Sequence, residues 1–149
     1  MADSRVAVDS VVVEVQVVAG NEKLSSMAKK AIKLELQRAE HETSGVIHVH
    51  VSHAKNEPDI LESAKKYFVS QNLHSHTHRN GMVLYLNLKL KKFAIFGDEK
   101  MHEKVGQVFW DQLTQEVGQY IKEKDLSVGV LHAVQKMGKV LKEHFPAKQ

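Results

Sequence analysis

RNGMVLYLNLKLKKFAIFGDE, residues 79–99, is the stretch that decides the fold of this chain. Residues 82–88 (MVLYLNL) and 93–97 (FAIFG) are short runs of the aliphatic and aromatic side chains that suit a buried sheet, and the basic stretch KLKK at 89–92 separates them. Two such runs joined by a short polar break predict an antiparallel hairpin. Asn80-Gly81 precedes the first run as a turn chosen for positive φ, and Gly97-Asp98 closes the second. Asp98 is then placed to cap a helix over 99–121 with a kink near Gly106.

Working outward, VVVEVQVV at 11–18 alternates as a half-buried strand, and VIHVHVS at 46–52 alternates again, with Ile47, Val49 and Val51 on one side and Val46, His48, His50 and Ser52 on the other. Between them, Leu24, Met27, Ala28, Ala31, Leu34 and Ala39 recur at helical spacing, with Ser25 or Ser26 as the cap. Asn56-Glu57-Pro58-Asp59 opens a second helix that runs to about residue 69, with Ile60, Leu61, Ala64 and Phe68 as its apolar stripe. A last helix is expected to be capped by Ser127, to bury Val130, Val134, Met137, Leu141 and Phe145, and to stop before Pro146. The order β-α-β-α-β-β-α-α predicts a layered α/β domain with a mixed sheet, in which 46–52 and 82–88 are parallel neighbours.

Composition narrows the chemistry. With 149 residues and 42% apolar side chains the chain fills one core, and the absence of cysteine excludes disulfides, thiolate metal sites and cysteine nucleophiles. A net charge of +3 with 21 basic residues scattered among 18 acids does not make the basic face that nucleic acid requires. No run approaches the roughly 20 apolar residues of a membrane span, and the start of the sequence does not read as a signal peptide, so a cytoplasmic protein is expected. P-loop, GxSxG, HRD-type and HExxH motifs are missing.

The strings ETSGVIHVHV, RNGMVLYLNLKLKKFAIFGDE, FWDQL and DLSVGVLHAVQKMGKVLKEHFP, taken in that order, resemble the TPM-domain family, which includes the thylakoid-lumen acid phosphatase and photosystem II repair proteins. The resemblance covers about residues 24–146, leaving 1–23 as an N-terminal extension with its own strand. It implies a three-layer α/β/α sandwich around a mixed, mostly four-stranded sheet, to which the valine strand would be an addition. It also implies acid phosphatase activity and divalent-cation binding for some members and accessory or assembly roles for others. No leader or trailing membrane helix, such as many members of the family carry, is expected from this sequence. In addition, Val46 stands where a glutamate is frequent, which removes a carboxylate from the candidate site.

If 46–52 and 82–88 are parallel, their starts share one sheet edge with the end of 93–97. Thr43, Ser44, Asn80, Gly81, Asp98 and Glu99 then converge, with Arg79 as an anion clamp and the loop His74-Ser-His-Thr-His78 hanging over the same edge. Each residue also has a purely structural reading, Asp98 as a cap and Thr43-Ser44 as a helix exit. Carboxylates of Asp98, Glu99 and Asp111 suit Ca²⁺ or Mg²⁺, whereas His74, His76 and His78 suit Zn²⁺ or Ni²⁺. His48 and His50 read as a polar patch, and Phe109 and Trp110, at helical spacing from Val105 and Leu113, as core. The expected function is a non-catalytic module binding a divalent cation or small ligand in an accessory role beside a partner protein. The alternative is a metal-assisted acid phosphatase acting on phosphate monoesters. An exposed valine edge would leave the chain a monomer or pair it as a homodimer through the N-terminal strand.

Overall fold

A computed structural model of the chain describes residues 15–16, 24–75 and 78–147. In chain order the elements are β1 (Val15–Gln16), α1 (Ser26–Glu42), β2 (Val46–Ser52), α2 (Ile60–Ser70), a 3₁₀ turn (Leu73–Ser75), β3 (Gly81–Asn87), β4 (Lys92–Gly97), α3 (Glu99–Glu123) and α4 (Leu126–His144). The sheet is mixed, with order β1-β4-β3-β2. β2 runs parallel to β3 from Val46↔Gly81 to Ser52↔Asn87, and β3 pairs antiparallel with β4.

The hairpin is the centre of the molecule because every residue of β3 is buried. Its side chains alternate between two cores. Met82, Leu84 and Leu86, with Phe93 and Ile95 of β4, face the side covered by α1, α3 and α4. Val83 and Tyr85, with Ala94 and Phe96, face Ile60, Ala64 and Phe68 of α2. Side chains such as Leu84, Ile95 and Phe68 are fully buried, and each contributes about 2 kcal/mol to folding. Asn87 closes the hairpin by accepting from the Leu90 N–H at 2.8 Å, and Lys91 takes the positive φ of 58° that the reversal requires.

Three strands have six or seven residues. The implied four-stranded sheet with an added N-terminal strand is therefore not what is found: the valine segment contributes Val15–Gln16, which pair with Phe93 and Lys92. The rest of 11–18 lies outside the described residues.

Several local expectations are corrected. Helix α1 is capped by Ser25, but Met27 and Leu34 are 82% and 65% exposed, and the buried stripe instead runs through Ala28, Ile32, Leu36 and Ala39. Helix α4 begins at Asp125, whose side chain accepts from the Val128 N–H at 2.9 Å, while the Ser127 hydroxyl accepts from the Ser25 N–H and ties the starts of α1 and α4 together. The left-handed residue before β3 is Arg79, with φ 51°, and Gly81 is there for space: a Cβ on it would lie 3.1 Å from the Phe68 ring. Gly106 breaks α3 as expected, with φ 78° and ψ 167°. Trp110 is fully buried core and lies against Gly97, where a Cβ would meet its ring at 2.3 Å. No helix among the described residues is long and apolar enough to cross a membrane.

Candidate functional site

Parallel pairing of β2 and β3 puts their starts side by side, and antiparallel pairing brings the end of β4 to the same place. The Asp98 N–H donates to Gly81 O at 2.9 Å, and the Lys100 N–H to Arg79 O at 3.0 Å, so the first turn of α3 is stitched to the start of β3. The left-handed backbone at Arg79 turns its side chain onto Asp98. Nε donates to Oδ2 at 2.7 Å and an NH2 proton to Oδ1 at 2.8 Å, while the Glu99 N–H caps Oδ1 at 2.7 Å. The third guanidinium nitrogen lies 3.4 Å from Glu99 Oε2. The hydrogen bonds from Arg79 to Asp98 raise the guanidinium above its ordinary value, against the opposing effect of burial.

On the other side of the edge, the Thr43 hydroxyl donates to Ala39 O at 2.7 Å and accepts from the Gly45 N–H at 3.1 Å, which makes it the C-terminal stop of α1. Asn80 is fully buried and donates from Nδ2 to Ser44 Oγ at 3.3 Å. Its Oδ1 has no hydrogen-bond partner. Turning the amide over would only move the unmet atom from oxygen to nitrogen, so one end of this side chain is left wanting, at a cost typical of a buried unpaired polar group, about 1–3 kcal/mol.

The expected convergence of Thr43, Ser44, Arg79, Asn80, Gly81, Asp98 and Glu99 is thus present, but the metal set is not assembled. Three of the roughly four lone-pair positions of Asp98 are already occupied. Glu99 pairs with the same arginine, and Asp111 lies roughly three and a half helical turns beyond Asp98, on the far side of the Gly106 break, where it accepts from Gln107 at 3.1 Å. Among the described residues no three His, Asp or Glu side chains are grouped to hold a metal. Of the histidine loop, His74 sits in the 3₁₀ turn with Nδ1 buried and unpaired, His78 is exposed, and His76 lies outside the described residues.

A second polar cluster, at the opposite end of β3, was not read in advance. Glu57 accepts from the Tyr85 hydroxyl at 2.6 Å, from Ser52 Oγ at 3.1 Å and from the Asn87 amide. Burial pushes its pKa up, but hydrogen bonds from Tyr85, Asn87, Ser63 and Ser52 together outweigh that and hold it below the usual value. Tyr85 is raised by burial and by this bond. Nearby, His48 Nδ1 lies 3.0 Å from the Tyr67 hydroxyl and His50 stacks on the Tyr67 ring, so the predicted polar patch is a packed aromatic cluster. Burial lowers His48, opposed by the charge of Glu40. The available signal was Asn87, a polar residue inside an otherwise apolar strand.

A chemical comparison of the two clusters separates their roles. Around Glu57 the donors and acceptors satisfy one another and fasten the loop ahead of α2, whereas the β3-start edge keeps an unmet atom on Asn80, one position along the chain from Arg79. The side-chain oxygens on offer along this edge are Asn80 Oδ1, Ser44 Oγ and the partly exposed Glu99 carboxylate, with no sulfur among them.

The fold and sequence also resemble known proteins. The BA42 protein from the psychrophilic bacterium Bizionia argentinensis, solved by NMR, superposes with a TM-score of 0.75 at 28% identity, over 85% of this chain and 86% of that one. No curated protein matches the chain. The family model described as TPM domain matches residues 17–140, which takes in the whole α2-side core, most of the other core and every residue of the β3-start edge, and this chain belongs to the TPM domain family.

Proposed function

We propose that the chain is a non-catalytic TPM module that receives a divalent cation or a small polar ligand at the start of β3 and serves an accessory role beside a partner protein. The observation that carries this reading is Asn80: a fully buried amide with an unmet atom, hydrogen-bonded to Ser44 and adjacent in the chain to Arg79. A buried polar group without a partner is costly, and a ligand that completes it regains that cost. Ca²⁺ or Mg²⁺ is the ligand best matched to these oxygens, with Zn²⁺ or Ni²⁺ at the histidine loop as the lesser candidate. Calcium titration followed by amide resonances tests the proposal. Residues 43–45, 80–81 and 98–99 are expected to shift and Asn80→Ala to abolish the shifts; unmoved resonances would refute it.

The alternative, a metal-assisted phosphatase, asks Asp98 to bind metal and Arg79 to clamp phosphate. Each already occupies the other's polar atoms in a bidentate pair, so both would have to separate first. Turnover of p-nitrophenyl phosphate with Ca²⁺, Mg²⁺, Mn²⁺ or Zn²⁺ that is lost in Asp98→Ala would favour that reading over ours.

A further inference from the structure

The unmet Asn80 oxygen is sealed from solvent, so whatever reaches it must first displace a neighbour. The neighbour that connects Asn80 to the rest of the molecule is Ser44. Its hydroxyl is held by Asn80, and its backbone N–H donates to Phe145 O at 2.9 Å. Phe145 opens a short C-terminal strap that leaves α4 and runs back antiparallel along the α1–β2 connection. Pro146 bridges Thr43, and the Ala147 N–H donates to Glu42 O at 2.9 Å. An ion pair between Lys142 and Glu42, at 3.4 Å, reinforces the docking. The end of α4 presses on the same spot, since a Cβ at Gly45 would lie 2.5 Å from the Leu141 side chain and 3.2 Å from Asn80 O.

We infer that this strap gates the Asn80 site. Docked, it holds Ser44 in its hydrogen bond with the Asn80 amide nitrogen; released, it lets the Ser44 segment move, so that a ligand can reach Asn80 Oδ1 and Ser44 Oγ together. The two states differ in two backbone hydrogen bonds and in the packing of the half-buried Phe145 ring, and a ligand that prefers the open state biases them. The apparent affinity equals the intrinsic affinity scaled by the fraction of molecules with the strap open. Loosening the strap therefore tightens binding, and by linkage the bound ligand loosens the strap. The inference rests on the binding reading above and adds its regulation by the C-terminal segment.

The test uses the full chain and calcium chloride as the probe. Ala147→Pro removes the donor to Glu42 O and leaves every side chain of α4 in place, while Phe145→Ala weakens the anchor of the strap from the other end. In Ala147→Pro, losing one such hydrogen bond is expected to raise the open fraction, and so lower the calcium midpoint, about fivefold, and Phe145→Ala, which loses ring packing instead, moves the midpoint in the same direction. Amide exchange at Ser44 should accelerate in each variant without calcium, and in the native chain when calcium is added. Faster Ser44 exchange in either variant with an unchanged midpoint would overturn the gate while leaving the binding reading intact, as would native Ser44 exchange that calcium leaves alone. Absence of any calcium response in the native chain and both variants would overturn the binding reading, and the gate with it.

Discussion

Replacing Arg79 by methionine keeps the length of the side chain and removes its charge and hydrogen bonds. Asp98, fully buried, then loses two of its three donors, at 2.7 and 2.8 Å, and retains only the Glu99 N–H and the positive end of α3. Breaking a buried ion pair from one side costs about 3–5 kcal/mol. The arginine side chain is 18% exposed, so water reaches part of the vacated space, and the surviving cap offsets more of the loss. A value near the lower limit, about 3 kcal/mol, is therefore expected. For a chain of this size that lowers Tm by about 9 °C. Urea unfolding followed by circular dichroism measures it, provided the slope of the transition is unchanged. Asp98→Asn keeps a capping side chain but removes the negative charge, so the double variant should be less destabilised than the two single losses added, with a coupling of about 1.5 kcal/mol or more. Additive losses, or an Arg79→Met cost below about 1 kcal/mol, would refute the pair as the clasp between β3 and α3.

Gly97→Ala forces a methyl to within 2.3–2.5 Å of the Trp110 ring, and the resulting overpacking should cost about 2 kcal/mol and shift the tryptophan emission. Gly106→Ala meets no atom within 4 Å, so its penalty comes from φ 78° alone; urea midpoints should show about 1 kcal/mol with unchanged fluorescence. Burial holds His48 below its ordinary 6.5, so as pH falls the unfolded chain takes up this proton first. The stability His48 provides is complete above about pH 6.5 and declines as pH drops toward the lower folded value; urea midpoints measured from pH 7 to 5 should fall, less steeply in His48→Gln.

Much of the fold was legible because strands and helices announce themselves by period. Alternation in 46–52 and the apolar density of 82–88 and 93–97 led to the hairpin and its parallel neighbour. Asp98 was legible as a cap because the signal is local, lying next to the helix it starts. Its pairing with Arg79, 19 positions away, was not, because it depends on a positive φ at an arginine, a residue that seldom adopts one. Asp125 and Ser127 are both competent caps; Asp125 takes the role because Leu126 must begin the helix to be buried and Ser127 is engaged by Ser25. In α1 the spacing of Met27 and Leu34 suggested an inner face, yet Ile32 and Ala39 lie on the side that α4 covers. Residue types named a carboxylate set at Asp98, Glu99 and Asp111, but types carry no distances, and a helix with a break in it carries Asp111 away. The Glu57 network was hidden for the same reason, since its partners come from three separate elements.

The pairing pattern of the sheet also orders the assembly of the protein in time. Hairpin partners such as Asn87 and Lys92 are five positions apart, whereas Val46 must find Gly81 across 35. Closing the longer loop costs about 1.7 kcal/mol more in chain entropy, so the hairpin forms early and β2 joins later, carrying Ser44 to Asn80. A site completed only after the hairpin has formed is absent from the early folding states. A ligand that occupies it therefore slows unfolding without speeding folding.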